Sequence, residues 1–260
     1  MNRTRQSPLF LSHGAPSLLL EDVPARTFLE GLFAGASTRP RAVVVVSAHW
    51  LTNEPTVDAS RTPRTIHDFS GFPAQLSRVQ YPASGDPVLA GEIAAECARH
   101  GISARIVERG LDHGAWVPLA LALPDATVPV LQVSLQPRRG AAYHLQLGRA
   151  LARWRDADVL VVGSGSATHD LGSLEPPGSA APAWVQAFDD WLVAAVERGD
   201  ADALVDYRRR APHAERNHPT EEHYLPLLVA LGAAGEGARG RTLHRSTTFG
   251  VLAMSAFAFD

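Results

Sequence analysis

The sequence has no lysine: all 24 of its basic residues are arginine. Schiff-base chemistry on a side-chain amine is thereby excluded, and so uniform a usage reads as nucleotide bias. Cysteine is almost absent too. A single Cys97 forbids an intrachain disulfide and any zinc site built on several thiolates, and it points to a reducing compartment, the cytoplasm. There is no excess of positive charge. A net charge of −3 supplies no field to draw in nucleic acid or an anionic membrane surface. No apolar window approaches the ~18 residues of a transmembrane helix. The apolar stretch after the basic start, Met1 to Gln6, breaks at Ser12 and His13, too early for a signal peptide. Glycine and proline are too sparse and aperiodic for a disordered or collagen-like chain.

What is present is 260 residues of which 45% are hydrophobic, ample for a buried core. Continuous apolar runs, Leu9-Phe10-Leu11 and Ala42 through Val46, predict strands buried on both faces, with further strands at 104–107, 128–135 and 159–162. Helical patterns fall between them at 86–100, 141–155 and 182–198, the last with the stripe Trp184, Phe188, Trp191, Ala195. A fourth helix is expected at 219–231, kinked at Pro226, and 248–259 is expected to close the sheet. Segments 51–82 and 171–182 lack periodicity and read as loops that cover something. No repeat or linker divides the chain. Residues 1–260 therefore read as one α/β domain with a central, mostly parallel sheet flanked by helices.

Eleven histidines stand out, and their placement says more than their number. His13 and His49 each follow an apolar strand within two or three residues, and His169 follows the 159–162 strand through a glycine-serine turn. Ligands of open α/β sheets bind beyond the carboxyl ends of the strands, so these three can converge on a metal. His113 lies in the loop 110–116, and His223 in the stretch His218-Pro219-Thr220-Glu221-Glu222-His223. On a helix, His218 and His223 would stand roughly 140° apart. His218, before a proline suited to the first helical position, reads as a flanking residue and His223 as the ligand inside the helix. Imidazole without thiolate suits iron, zinc, copper or nickel, and a reducing compartment favours Fe(II) or Zn.

Other motifs exclude themselves. The turn Gly163-Ser164-Gly165-Ser166-Ala167-Thr168 mimics a dinucleotide loop but lacks its last glycine, and the acidic pair about 20 residues on, Asp189 and Asp190, falls in an expected helix. No serine is framed as Gly-x-Ser-x-Gly, and His-Glu-x-x-His is missing, which argues against a nucleophile elbow and a metalloprotease. The turn's alternative role is to present His169. His67, His100, His144, His213 and His244 have no companion features and read as solvated or capping histidines, His67 lying in the presumed lid.

Taken in order, the stretches Leu11-Ser12-His13-Gly14-Ala15-Pro16-Ser17, Val46-Ser47-Ala48-His49-Trp50, Tyr81 to Pro87, Gly110 to Trp116, Gly163 to His169 and His218 to His223 resemble the class III extradiol dioxygenases of the 4,5-DOPA dioxygenase type. The resemblance spans nearly the whole chain. It implies cleavage of a DOPA-like catechol with O2 to a muconic semialdehyde, at one divalent metal ion, Fe(II) for activity or Zn(II) in the resting protein. It implies His13, His49 and His223 as ligands, His169 as a fourth ligand or an acid-base group, and His113 in the substrate pocket as proton donor. Many extradiol enzymes use two histidines and a carboxylate, which keeps Glu222 in view. Three protein ligands on octahedral iron leave room for both catechol oxygens and O2, whereas four do not. His169 is therefore expected to bind the resting metal and to move off as a base when catechol arrives. Aromatic side chains of the lid, Phe69, Phe72 and Tyr81, suit an aromatic substrate. A zinc hydrolase and a non-catalytic metal-binding relative are the competing readings, and oligomeric state is left open.

Overall fold

The computed structural model describes residues 5–35 and 39–260, so the start at Met1 to Thr4 lies outside the described residues. Its strands are β1 (Leu9–Ser12), β2 (Ala42–Leu51), β3 (Thr56–Asp58), β4 (Arg105–Val107), β5 (Val130–Leu135), β6 (Val159–Gly165), β7 (Gly240–His244), β8 (Thr247–Thr248), β9 (Leu252–Ala253) and β10 (Ala256–Phe259). Helices α1 (Pro24–Gly31), α2 (Pro87–Arg99), α3 (His113–Ala122), α4 (Gly140–Leu151) and α5 (Ala183–Arg198) are followed by the short turns α6 (Ala201–Val205), α7 (Tyr207–Arg210) and α8 (Ala214–Asn217), and then by α9 (Leu225–Ala234).

Eight strands form one sheet in the order β4-β3-β5-β2-β6-β1-β10-β7, and β8 pairs with β9 separately. The central β5, β2, β6 and β1 run parallel, while β10 returns antiparallel to both β1 and β7. Valine alternation in β2 shows why the sheet is covered twice. Val43 and Val45 face a core with Leu29 of α1 and Trp116 of α3. Val44 and Val46 face one with Leu89 of α2, Leu147 of α4 and Val229 of α9. A third core packs Phe188 of α5 against Phe257 and Phe259 of β10. All ten residues of α9 are buried, so a leucine-to-alanine change there is worth about 2–5 kcal/mol.

Four local expectations are corrected. The segment 51–82 contains β3, and the loop expected around His113 is the start of α3. The fourth helix begins at Leu225, not 219, because Pro226 occupies its first turn, where a missing N–H costs nothing, and so does not kink it. His218 and His223 consequently both precede the helix. The glycine-serine turn is also part of strand β6, and its glycines have a packing reason: a methyl on Gly163 would strike the Pro226 carbonyl, and one on Gly165 the His223 carbonyl. Without side chains at these two points, the segment bearing His223 lies directly on the strand. No described helix is long and apolar enough to cross a membrane.

Candidate metal centre

Parallel β1, β2 and β6 end at the same edge of the sheet, which gathers what the sequence separates. His13 follows β1 by one residue and extends its ladder by donating its backbone N–H to Gly165 O at 3.0 Å. His49 stands near the end of β2, and His223 arrives over Gly165, its carbonyl accepting from the Ser166 N–H. His49 Nε2 lies 3.0 Å from His13 Nε2 and 3.3 Å from His223 Nε2. An ion bonded at about 2.1 Å holds adjacent nitrogens about 3.0 Å apart at a right angle and about 3.4 Å apart at the tetrahedral angle. His49 thus stands at ligand spacing from both His13 and His223, and His113 also brings a ring nitrogen within 4.8 Å of those of His13 and His49.

Their tautomers agree. Pro118 inside α3 has no N–H, so the Gly114 carbonyl four residues back lacks its helical donor. Ser164 Oγ donates to that carbonyl and must then accept from His13 Nδ1 at 2.9 Å. The proton of His13 is thereby fixed on Nδ1, and its Nε2 lone pair faces the centre. His223 Nδ1 lies 3.2 Å from Glu222 Oε1, which assigns its proton in the same way. Such outer contacts orient metal-bound histidines in general. Burial, with the neighbouring imidazoles adding to it, holds His13 and His223 far below the usual histidine range. Burial and the charge of His113 lower His49 to about 3 against the opposing pull of Asp68. All three are neutral at pH 7, the form that binds metal.

His169 is held differently. Its ring stacks on His223 with centroids 3.4 Å apart and planes at 11°. This face-to-face stacking sets His169 apart from the tilted and edge-on contacts among His13, His49 and His223. The residue belongs instead to a second group of donors with Glu222 and His223. Burial lowers its pKa as well.

His113 opens α3 behind its cap Asp112, a fully buried carboxylate that accepts from Ser47 Oγ at 2.7 Å, Gln132 Nε2 at 2.9 Å and Arg109 Nη1 at 3.0 Å. The His113 ring lies against His49, centroids 3.8 Å apart. Its Nδ1 is 3.0 Å from Asp68 Oδ1, at ion-pair distance but off hydrogen-bond alignment, while its backbone N–H donates to the same oxygen at 2.9 Å. Burial would raise the Asp68 carboxyl, but His113 brings it down to about 2.

These rings floor a cavity of about 540 Å³ walled by Phe69, Phe72, Leu171, Leu174, Phe249 and Leu252. A larger depression of about 990 Å³ lies among Arg41, Glu92, Arg99 and Arg153, where β2 begins. It is at the amino end of the strand, away from the histidines. Of the expected lid aromatics, Phe69 and Phe72 reach the cavity. Tyr81 does not: it is buried and donates its hydroxyl to Leu123 O. Of the other histidines, His67 bonds Val79 O and His244 bonds Ser246 Oγ, while His213 is exposed. His144 is fully buried, not solvated, accepting from Gln136 N and bonding Gly140 O through Nδ1, and His218 bonds Ala167 O. Sequence reasoning missed Asp68 and Ser164. Ser164 had a signal, the Gly-Ser alternation that sends serines and glycines to opposite faces of a strand; Asp68, one acid in an aperiodic segment, had none.

The chain matches the catalytic LigB subunit of aromatic ring-opening dioxygenase over residues 9–257. It is 40% identical over 257 residues to a 4,5-DOPA dioxygenase extradiol of Beta vulgaris, covering 96% of this chain and 95% of that one. With the enzyme of the same name from Escherichia coli K12 it shares 39% over 238 residues, 90% and 87% of the two chains. The crystal structure of an uncharacterized protein from Escherichia coli K12 superposes with a TM-score of 0.81 at 32% identity, covering 98% of this chain and 99% of the other. On this family match and these near full-length relatives, the chain belongs to the class III extradiol dioxygenases, enzymes that open aromatic rings.

Proposed function

We propose that residues 1–260 act as one catalytic unit that opens a catechol ring with O2 to a muconic semialdehyde in the reducing cytoplasm, DOPA being the reference substrate that the relatives' names suggest. The observation that carries this is the meeting of the His13, His49 and His223 Nε2 atoms on the floor of an apolar cavity. These three residues are the proposed ligands of one divalent ion, Fe(II) in the active enzyme and Zn(II) in a resting form. When bound, the ion would acidify the catechol hydroxyls and bring the electron-rich ring together with O2.

The chain's own groups do the rest. His169, neutral and stacked beside the ligands, takes the proton that leaves the second catechol hydroxyl. His113, backed by the Asp68 carboxylate, holds a proton over the same centre and delivers it as the ring opens. Phe69 and Phe72 exclude water from the bound ring. Anaerobic reconstitution with Fe(II), followed by a catechol panel read by O2 uptake and yellow semialdehyde, tests the reading. Iron-loaded protein that consumes no O2 with any catechol would refute it and favour zinc-dependent hydrolysis.

His169→Ala separates base from ligand. Metal retention is expected to fall by no more than about tenfold, because three histidines remain, while turnover drops by roughly 10² to 10⁴. Metal analysis beside kcat checks this. A loss of metal as complete as that of His13→Ala would make His169 an obligatory ligand.

A further inference from the structure

The cavity has a chemical character that catechol cleavage alone does not require. At about 540 Å³ it falls in the range of sites for drug-sized ligands and exceeds what a bare catechol needs. Past the histidines, its wall consists of Phe69, Phe72, Leu171, Leu174, Phe249 and Leu252, and no arginine, aspartate or glutamate is among the described lining residues. Its serines are Ser17 and Ser166, and the Ser166 hydroxyl is already donated to Thr168 O.

Among the described residues, the charged groups around the site offer no free cation to the carboxylate of an amino-acid tail. Asp68, Asp170 and Glu222 are acidic, so they would repel a carboxylate, and each is engaged. Asp68 faces His113 and His49, Asp170 accepts from Gly172 N and Ser173 Oγ, and Glu222 accepts from Thr220 and faces His223. Arg109 is held by Asp112, Gln132 and the ring of Trp50. No described arginine lines the cavity to meet a bound α-carboxylate, and Arg216, in the adjoining depression that shares Leu174, is stacked on Trp184; burying the carboxylate unpaired is costly.

The mouth of the cavity is apolar as well. Phe72, Leu171 and Leu174 are 37%, 56% and 47% exposed, and they are three of the seven large apolar side chains that are exposed among the described residues. Exposed apolar groups gathered at one opening mark a binding surface. The opening is continuous with the histidine floor, so its occupant is the part of the substrate that points away from the reacting oxygens.

We infer that the substrate is a catechol whose ring carries a hydrocarbon substituent in place of the charged amino-acid tail of DOPA. The inference rests on the reading of the site as a catechol dioxygenase and names the substituent that its outer half selects.

The Fe(II)-loaded enzyme is compared on 4-butylcatechol, unsubstituted catechol and L-DOPA. Each methylene buried is worth about fourfold in binding, so kcat/KM for 4-butylcatechol is expected about 10²-fold above that for catechol, mainly through KM, and at least as far above that for L-DOPA. Leu174→Arg, which places a cation at the mouth, is expected to lower the butylcatechol-to-DOPA ratio by at least tenfold. Equal or better use of L-DOPA by the unmodified enzyme would overturn the inference and leave ring cleavage intact. Calorimetric titration of the three compounds under argon keeps the two readings apart. If none of them consumes O2, the functional proposal fails, and the ratio of binding constants alone then supports or overturns the apolar tail.

Discussion

His49→Ala is expected to abolish stable metal binding and to reduce ring cleavage below about a thousandth of the unmodified rate. Of the three proposed ligands, His49 is the shared one, its Nε2 facing both His13 at 3.0 Å and His223 at 3.3 Å. Deleting groups that merely orient a ligand already costs 10- to 100-fold in affinity, so loss of the ligand itself should exceed about 10²-fold. The metal-free fold should not suffer. Without an ion the site crowds neutral imidazoles together, and removing one relieves that crowding. Thermal unfolding of the stripped variant should therefore match or exceed that of the stripped parent, while the stabilisation that added metal gives the parent disappears. Metal content after dialysis, with the two melting curves, checks the expectation. A variant that keeps its metal would remove His49 from the ligand set.

His113→Gln is expected to keep the metal and lose turnover by about 10² to 10⁴. Its nitrogens fall within 4.8 Å of those of His13 and His49, so ligation by His113 is the competing geometry. In favour of a proton-transfer role, its Nδ1 stands 3.0 Å from the Asp68 carboxylate and its backbone N–H is tied to the same oxygen, while His223 Nε2 already takes the place beside His49 at 3.3 Å. Glutamine preserves much of the size of the side chain without an imidazole that can pass a proton. Parallel assays of bound iron and kcat decide the case, and metal loss equal to that of His49→Ala would reassign the residue as a ligand.

How far the sequence could be read depends on the range of the interaction involved. The runs at Leu9, Ala42 and Val159 announce strands because burial on two faces leaves a local, unbroken apolar signature. The placement of His13 and His49 at the carboxyl edge of the sheet was legible for the same reason, one following β1 and the other lying near the end of β2. His223 was placed on a helix that in fact begins at Leu225; its position over β6 depends on the room left by Gly165, 58 positions away in the chain, which no local pattern reports. Helix α3 was hidden by Gly110, Gly114 and Pro118, all local signs of a loop, and it forms because Asp112 caps it and the core takes in Trp116. Asp68 and the apolar mouth at Leu171 and Leu174 are matters of tertiary approach alone.

Pro118 makes one consequence explicit. A proline in a helix interior is up to about 3 kcal/mol less favourable than alanine, yet here it leaves free the carbonyl of Gly114 that engages Ser164 and so sets the proton on His13. Pro118→Ala would restore a helical donor to that carbonyl and release Ser164 to offer its own proton to His13. The variant is expected to melt at a higher temperature and to hold metal less tightly, as differential scanning calorimetry and metal titration would show. The two changes together would show helix α3 giving up stability at Pro118 for metal binding; a variant that melts higher and binds metal as tightly as the parent would remove that role.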